Sequence, residues 1–219
     1  MKSFLLYLKT LKFSGWRFDF VKGYAPSYVG QYIDSSSPTF SVGEYWDGNT
    51  NLVLNWISGT SQKSQAFDFP LRYTLQSAIK GNNYGSMGYV VPGVLGQNPS
   101  HSVTFLDNHD TSRDDRFGTT DQLIMGYAYI LTHPGTPCVF YDDWYTSSIQ
   151  TVIIKLISLR KAQGIFSTSP VYIYKYTQGL YAAQINGNTI VKLGTNSWSP
   201  SDTSYQLYTS GNNYAVWKK

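Results

Sequence analysis

Three carboxylates stand at the ends of aromatic or β-branched runs: Asp19 in GWRFDF, Glu44 in TFSVGE and Asp110 in SVTFLDNHD. An isolated charge in so apolar a run is costly to bury, so each must be paired or put to use. Two carboxyl groups facing one bond supply a nucleophile and a general acid, the pair that cleaves glycosidic linkages. Over Trp16 to Phe20 a period of two puts Arg17 and Asp19 on one face and Trp16, Phe18 and Phe20 on the other, the apolar set packing under outer helices. Arg17 beside Asp19 favours the charged carboxylate, which suits a nucleophile. Glu44 follows Phe40 and Val42 and precedes Tyr45-Trp46; apolar surroundings favour the protonated carboxyl that a general acid needs. His109 and Asp110 fall just past a strand end, where two groups can hydrogen-bond the hydroxyls of one sugar. His133, before Pro134-Gly135, reads as the close of a helix, where the dipole favours positive charge. His101 falls in a loop.

The elements that must hold these residues alternate. Strands are predicted over 16–20, 39–44, 65–69, 102–107 and 137–141, and helices over 27–35, 50–57, 70–79, 120–132 and 147–163. Strand and helix in alternation indicate a parallel sheet of βαβ units, whose active sites form at the carboxyl ends of the strands. Five such units make more than half of an eight-fold barrel. Beyond Gly164 the texture changes to short alternating segments, VYIYKY, GLYAAQIN, NTIVKLG, SYQLYT and NYAVWKK, separated by Gln178-Gly179, Asn186-Gly187-Asn188 and Gly211-Asn212. Asn-Gly between alternating segments is a strong hairpin signal. Residues 1–166 therefore read as an α/β barrel portion and 167–219 as an antiparallel β domain.

Composition narrows the function classes. Of the 219 residues 42% are hydrophobic, enough for a sizeable core. Nineteen Tyr and 6 Trp, against a charged share of only 14%, supply flat faces with polar handles that suit polyhydroxylated ligands. The net charge of +4 is spread along the chain without a basic stripe, which argues against a nucleic-acid partner. A single cysteine, Cys138, excludes an internal disulfide and a thiolate metal cluster, and the three histidines lack zinc-site spacing. Calcium, with its oxygen ligands, stays open. MKSFLLYLK is too short in its apolar part for a signal peptide and is expected to end an amphipathic helix with Phe4, Leu5, Leu8 and Leu11 on one face. No run approaches the length of a membrane span.

The segments GWRFDFVKGY (15–24), VGEYWDG (42–48) and FLDNHDT (105–111) resemble, in order, the second, third and fourth signature regions of the α-amylases of glycoside hydrolase family 13. GYAYILTHPGTPCVFYD (126–142) and NNYAVWKK (212–219) are similar to the plant-type subgroup. The resemblance implies a TIM (β/α)8 barrel, represented here by its strands four to eight, followed by the small antiparallel domain. It implies retaining endo-hydrolysis of α-1,4-glucans, with Asp19 as nucleophile, Glu44 as acid/base and Asp110 as the carboxylate that grips the sugar and favours the distorted transition state. Arg17 and His109 would position these groups, and Lys22 and Trp46 would line the cleft on the leaving-group side. An α-glucan is the implied partner and a secreted location the implied compartment.

The same resemblance places the family's first signature region and first three barrel strands before residue 1, leaving an open sheet that is expected to be poorly stable and weakly active alone. Calcium is implied for the intact enzyme, with the backbone carbonyl of Gly23 as one ligand and most others outside the chain. Cys138 stands where animal-type relatives place a chloride ligand, so chloride dependence is not expected. Gln97-Asn98 replaces the surface tryptophan pair common in plant-type relatives. The competing readings are a non-catalytic carbohydrate-binding remnant and a related glucan transglycosylase.

Overall fold

Five short runs of β-branched and aromatic residues pair in parallel in chain order. They are β1 (Gly15–Phe18), β2 (Phe40–Gly43), β3 (Gln65–Phe67), β4 (Ser102–Thr104) and β5 (Thr136–Pro137). This sheet belongs to a computed structural model that describes all 219 residues. Helices α2 (Pro26–Ser36), α3 (Thr50–Gly59) and α4 (Phe69–Gly81) link the early strands, with α1 (Lys2–Thr10) ahead of β1. The short α5 (Thr111–Asp114) and then α6 (Thr120–Thr132) follow β4, and α7 (Tyr141–Trp144) and α8 (Ser147–Ala162) follow β5. Their starts are written locally. Pro26 opens α2, where its missing N–H costs nothing. Asn49 accepts from the Asn51 amide and Asp68 from the Leu71 amide, each satisfying a donor at a helix start. Thr119 and Gln122 form a reciprocal capping box at α6.

The second sheet is antiparallel, ordered β6-β7-β8-β10-β9, from β6 (Val171–Thr177), β7 (Leu180–Ile185), β8 (Thr189–Leu193), β9 (Gln206–Gly211) and β10 (Tyr214–Lys218). Asn186 and Gly187 both take positive φ, 53° and 72°, in the three-residue connection that joins β7 to β8, where the Asn188 amide donates to the Ile185 carbonyl at 3.3 Å. One core of 28 buried residues runs from α4, α6 and α8 into β7, β8 and β10, so these helices and the second sheet share it. A separate cluster of ten, including Trp16, Phe18, Val29, Val53 and Trp56, packs β1 against α1, α2 and α3.

The partial-barrel expectation and the antiparallel second sheet stand, with local corrections. Strands end sooner than expected: Asp68 leaves β3 to cap α4, and residues from Tyr141 turn into α7. Phe20 does not pack under the helices. It takes a left-handed φ of 43° as the chain leaves β1 for a 3-10 turn (Val21–Gly23), and it is 66% exposed. Along α1 only Leu5 is buried, while Phe4 and Leu11 are exposed, because β1 is an edge strand and offers that helix only one side to cover. His101 ends a 3-10 turn (Pro99–His101). No helix is long and apolar enough to cross a membrane.

Candidate active site

Parallel pairing fixes the relation of the first two carboxylates. The β1–β2 register opposes Phe18 to Gly43, so Asp19 and Glu44 are the next residues beyond the last pair of these adjacent strands. The Glu44 amide donates to the Phe18 carbonyl at 2.9 Å and the Val21 amide to the Glu44 carbonyl at 3.2 Å, which ties the two chain segments together just past the strand ends. Gly43 is required by packing: a Cβ there would lie 2.1 Å from the outer edge of the Trp56 ring, which packs on the strand just before Glu44.

Arg17 joins the two acids. Its Nη1 donates to Asp19 Oδ1 and its Nη2 to Glu44 Oε1, the latter at 2.5 Å. Glu44 is 6% exposed and also accepts from the Phe20 amide at 3.3 Å. The expectation of apolar surroundings for Glu44 is corrected in one respect, since its nearest polar neighbour is the Arg17 guanidinium. Asp19 differs, with a side chain 75% exposed. Beside it a cavity of about 550 Å³, walled by Met1, Phe4, Leu8, Tyr24 and Tyr28, opens along the β1 edge and reaches Arg17.

Lys22 and Trp46 come together beyond the ends of β1 and β2. Lys22 Nζ donates to the Trp46 carbonyl at 3.3 Å and to Asp47 Oδ2 at 2.8 Å. That bond to Asp47 holds the Lys22 ammonium above its ordinary range and the Asp47 carboxyl below its own. The Trp46 ring stacks on Phe69 at 5.0 Å, and its Nε1 donates to the Tyr73 hydroxyl at 2.7 Å. A cavity of about 270 Å³ lies against Lys22, Tyr45 and Leu52. Asp47 and Tyr73 were not anticipated from the sequence.

His109 and Asp110 lie in the turn after β4, two strands from Glu44, with Asp110 at the start of α5. His109 Nε2 is 3.3 Å from Asp110 Oδ2, and Arg113 Nη2 is 3.6 Å from Asp110 Oδ1. No direct bond links Asp110 to Asp19 or Glu44; their common position at the carboxyl ends of one sheet relates them. Beneath this turn is a buried network that sequence reasoning missed, built on Arg72 and Asp107. Its only signal was the four-residue spacing of Arg72, Gln76 and Lys80 along α4.

Two other buried groups stand apart from the site. Asp68 accepts from the amides of Leu71, Val94 and Leu95 and from the Ser102 hydroxyl. Burial nevertheless pushes its carboxyl up. His133 does end α6, but not as a charged cap: fully buried, its imidazole is pushed down to about 3 by desolvation. Its Nδ1 is 3.0 Å from the Tyr129 carbonyl, which can only accept, so Nδ1 carries the proton and the Tyr181 hydroxyl donates to Nε2 at 2.8 Å.

A calcium ion does not fit the donors present. Gly23 ends a 3-10 turn whose one carbonyl falls far short of the six to eight oxygens calcium takes, and no three His, Cys, Asp or Glu side chains converge anywhere in the chain.

Comparison with known proteins agrees with this layout. The alpha-amylase C-terminal beta-sheet domain family matches residues 162–218. Probable alpha-amylase 2 of Arabidopsis thaliana is 44% identical over 231 residues, covering 96% of this chain and 56% of the relative. Alpha-amylase type B isozyme of Hordeum vulgare is 40% identical over 134 residues, covering 58% of this chain and 86% of the relative. An alpha-amylase structure from Malbranchea cinnamomea superposes with a TM-score of 0.77 at 15% identity, over 99% of this chain and 58% of that one. The cyclomaltodextrin glucanotransferase CldA superposes at 0.78 and 17% identity, over 99% of this chain and 58% of that one. The chain spans 56% of the Arabidopsis relative and 26% of a second, Alpha-amylase 3, chloroplastic. With the identities to the plant proteins and the C-terminal domain match in hand, the chain belongs to the alpha-amylase family.

Proposed function

We propose that this chain carries the reacting carboxylates of a retaining hydrolase of α-1,4-glucans. One observation supports this most: Asp19 and Glu44 are register neighbours that share the Arg17 guanidinium, which suits the separation of about 5 to 5.5 Å used in the two-step mechanism. In the first step an Asp19 oxygen attacks the anomeric carbon as the bond to the leaving oxygen breaks, and Glu44 gives that oxygen its proton. In the second, Glu44 takes a proton from water, the water oxygen attacks the same carbon, and the ester to Asp19 breaks. Asp110 and His109 hydrogen-bond sugar hydroxyls, and Arg17 orients both reacting acids. Trp46, fixed by Phe69 and Tyr73, offers a ring face for the leaving-group sugar beside Lys22.

The test is hydrolysis of a chromogenic maltooligosaccharide by the chain and by its Asp19→Asn and Glu44→Gln variants. Loss of about 10² to 10⁴-fold in each is expected, with the α-anomer as first product by NMR. Equal rates for the chain and Asp19→Asn would refute the catalytic reading. If neither turned over, glucan binding without hydrolysis would stand, a second reading favoured by the 75% exposure of the Asp19 side chain.

A further inference from the structure

Helix α4 carries Arg72, Gln76 and Lys80 at four-residue steps, which puts them on one stripe of its surface. All three reach the segment between β4 and α6. Arg72 is fully buried. Its Nε donates to the Leu106 carbonyl at 2.6 Å, its Nη2 to Asp107 Oδ1 at 3.1 Å and its Nη1 to Asp115 Oδ2 at 2.8 Å; Nη2 also reaches the Asp115 carbonyl. Gln76 Nε2 donates to Asp115 Oδ1 at 3.2 Å and to the Arg116 carbonyl at 3.1 Å, and Lys80 Nζ donates to that carbonyl at 3.2 Å.

Leu106 and Asp115 lie on either side of the turn that carries His109 and Asp110. One rigid guanidinium therefore ties both ends of that turn, and its width sets how far apart they stand. Between the ends the turn is held by its own bonds. Asn108 Oδ1 accepts from the amides of Asp110 at 2.9 Å and Thr111 at 2.8 Å. Thr111 Oγ1 donates to Asp107 Oδ1 at 3.1 Å, and the Phe117 amide donates to both Asp107 oxygens at 3.1 Å. Burial pushes the Asp115 carboxyl up, but hydrogen bonds from Arg72 and Gln76 outweigh that and hold it below its ordinary range. A simple core ion pair would need one acid; here the donors converge on the two ends of a single turn.

We propose that the Arg72, Gln76 and Lys80 stripe is the positioning device for the Asp110 turn. Its consequence for turnover rests on the reading of Asp110 as a substrate-gripping carboxylate; its consequence for the turn itself does not. Arg72 is a positioning residue, since it acts only through Leu106, Asp107 and Asp115. Arg72→Lys keeps the charge but replaces the fork with a point donor that cannot hold both ends. Gln76→Leu keeps the volume and removes the donors.

The experiment measures amide hydrogen exchange in the full chain and both variants. Exchange at Asp110, Thr111 and Phe117 is expected to quicken about tenfold or more in Arg72→Lys and less in Gln76→Leu, with α6 amides unchanged. Unchanged turn protection, or equal loosening of the turn and α6, overturns the proposal, because the latter marks a merely structural role. In parallel, kcat on a maltooligosaccharide is expected to fall about 10²-fold in Arg72→Lys with little change in KM. A loosened turn with kcat intact overturns the catalytic consequence. A loosened turn in a chain that shows no hydrolysis at all sinks the proposed function and leaves the positioning role standing.

Discussion

Substituting His133 by Gln should make the chain less sensitive to acid. In the fold the imidazole is sealed among Tyr129, Tyr181 and the α6 terminus, and it stacks on the Tyr129 ring at 3.7 Å. Arg160 Nη1 donates to the His133 carbonyl at 2.5 Å, so the one charge facing the site is positive and also opposes protonation. Desolvation is the larger cause, and the group falls from 6.5 to about 3. The sign follows directly. Above pH 6.5 neither folded nor unfolded chain carries this proton and the site is silent. Below it the unfolded chain gains a proton that the folded chain refuses, so stability falls by about 1.4 kcal/mol per pH unit. Down to pH 4.5 that amounts to about 3 kcal/mol, a large part of the roughly 5 to 15 kcal/mol that holds a domain together. Gln is neutral throughout and keeps one donor and one acceptor. Urea unfolding of both proteins at pH 7.5, 6, 5 and 4.5 supplies the check. The variant is expected to be less stable at pH 7.5, and the gap should close by about 1.4 kcal/mol per unit below pH 6.5. Other groups move with pH as well: Asp47, Asp114 and Asp202, held low, lose stability as pH falls, while Asp68 and Asp143, held high, regain it. These are common to both proteins and cancel in the difference. Parallel pH curves for the two would refute the reasoning.

Arg17→Lys should lower kcat on a maltooligosaccharide by about tenfold or more, because a point ammonium cannot orient Asp19 and Glu44 together; steady-state kinetics would show it. Gly43→Ala drives a methyl into the Trp56 ring on a strand paired on both sides, so it should cost about 1 to 3 kcal/mol by urea unfolding.

How much could be read from the sequence varied with the range of the physics involved. Alternation within GWRF correctly separates buried Trp16 and Phe18 from exposed Arg17, because a strand's side-chain period is local. It fails at Phe20, where the backbone turns left-handed on leaving the strand. That Arg17 would reach Glu44 depends on the register between segments 27 residues apart, which no local pattern encodes. The same holds for Arg72, whose partners lie 34 to 43 residues away. His133 was placed correctly at a helix end and assigned the wrong charge, since the dipole is a property of α6 but the burial comes from Tyr181 on the other sheet.

The core that α4, α6 and α8 share with the second sheet has a consequence for how the molecule can be divided. Helix α6 belongs to the parallel unit in sequence, yet Tyr129 and His133 meet β7 through Tyr181. Cutting the chain after residue 166 would strip that helix of its cover from the second sheet and remove the burial that keeps His133 neutral. A chimaera that exchanges only the C-terminal sheet with a relative would inherit a mismatched seam. The transferable unit is the sheet together with α6 and α8, and the two halves should melt in one cooperative transition.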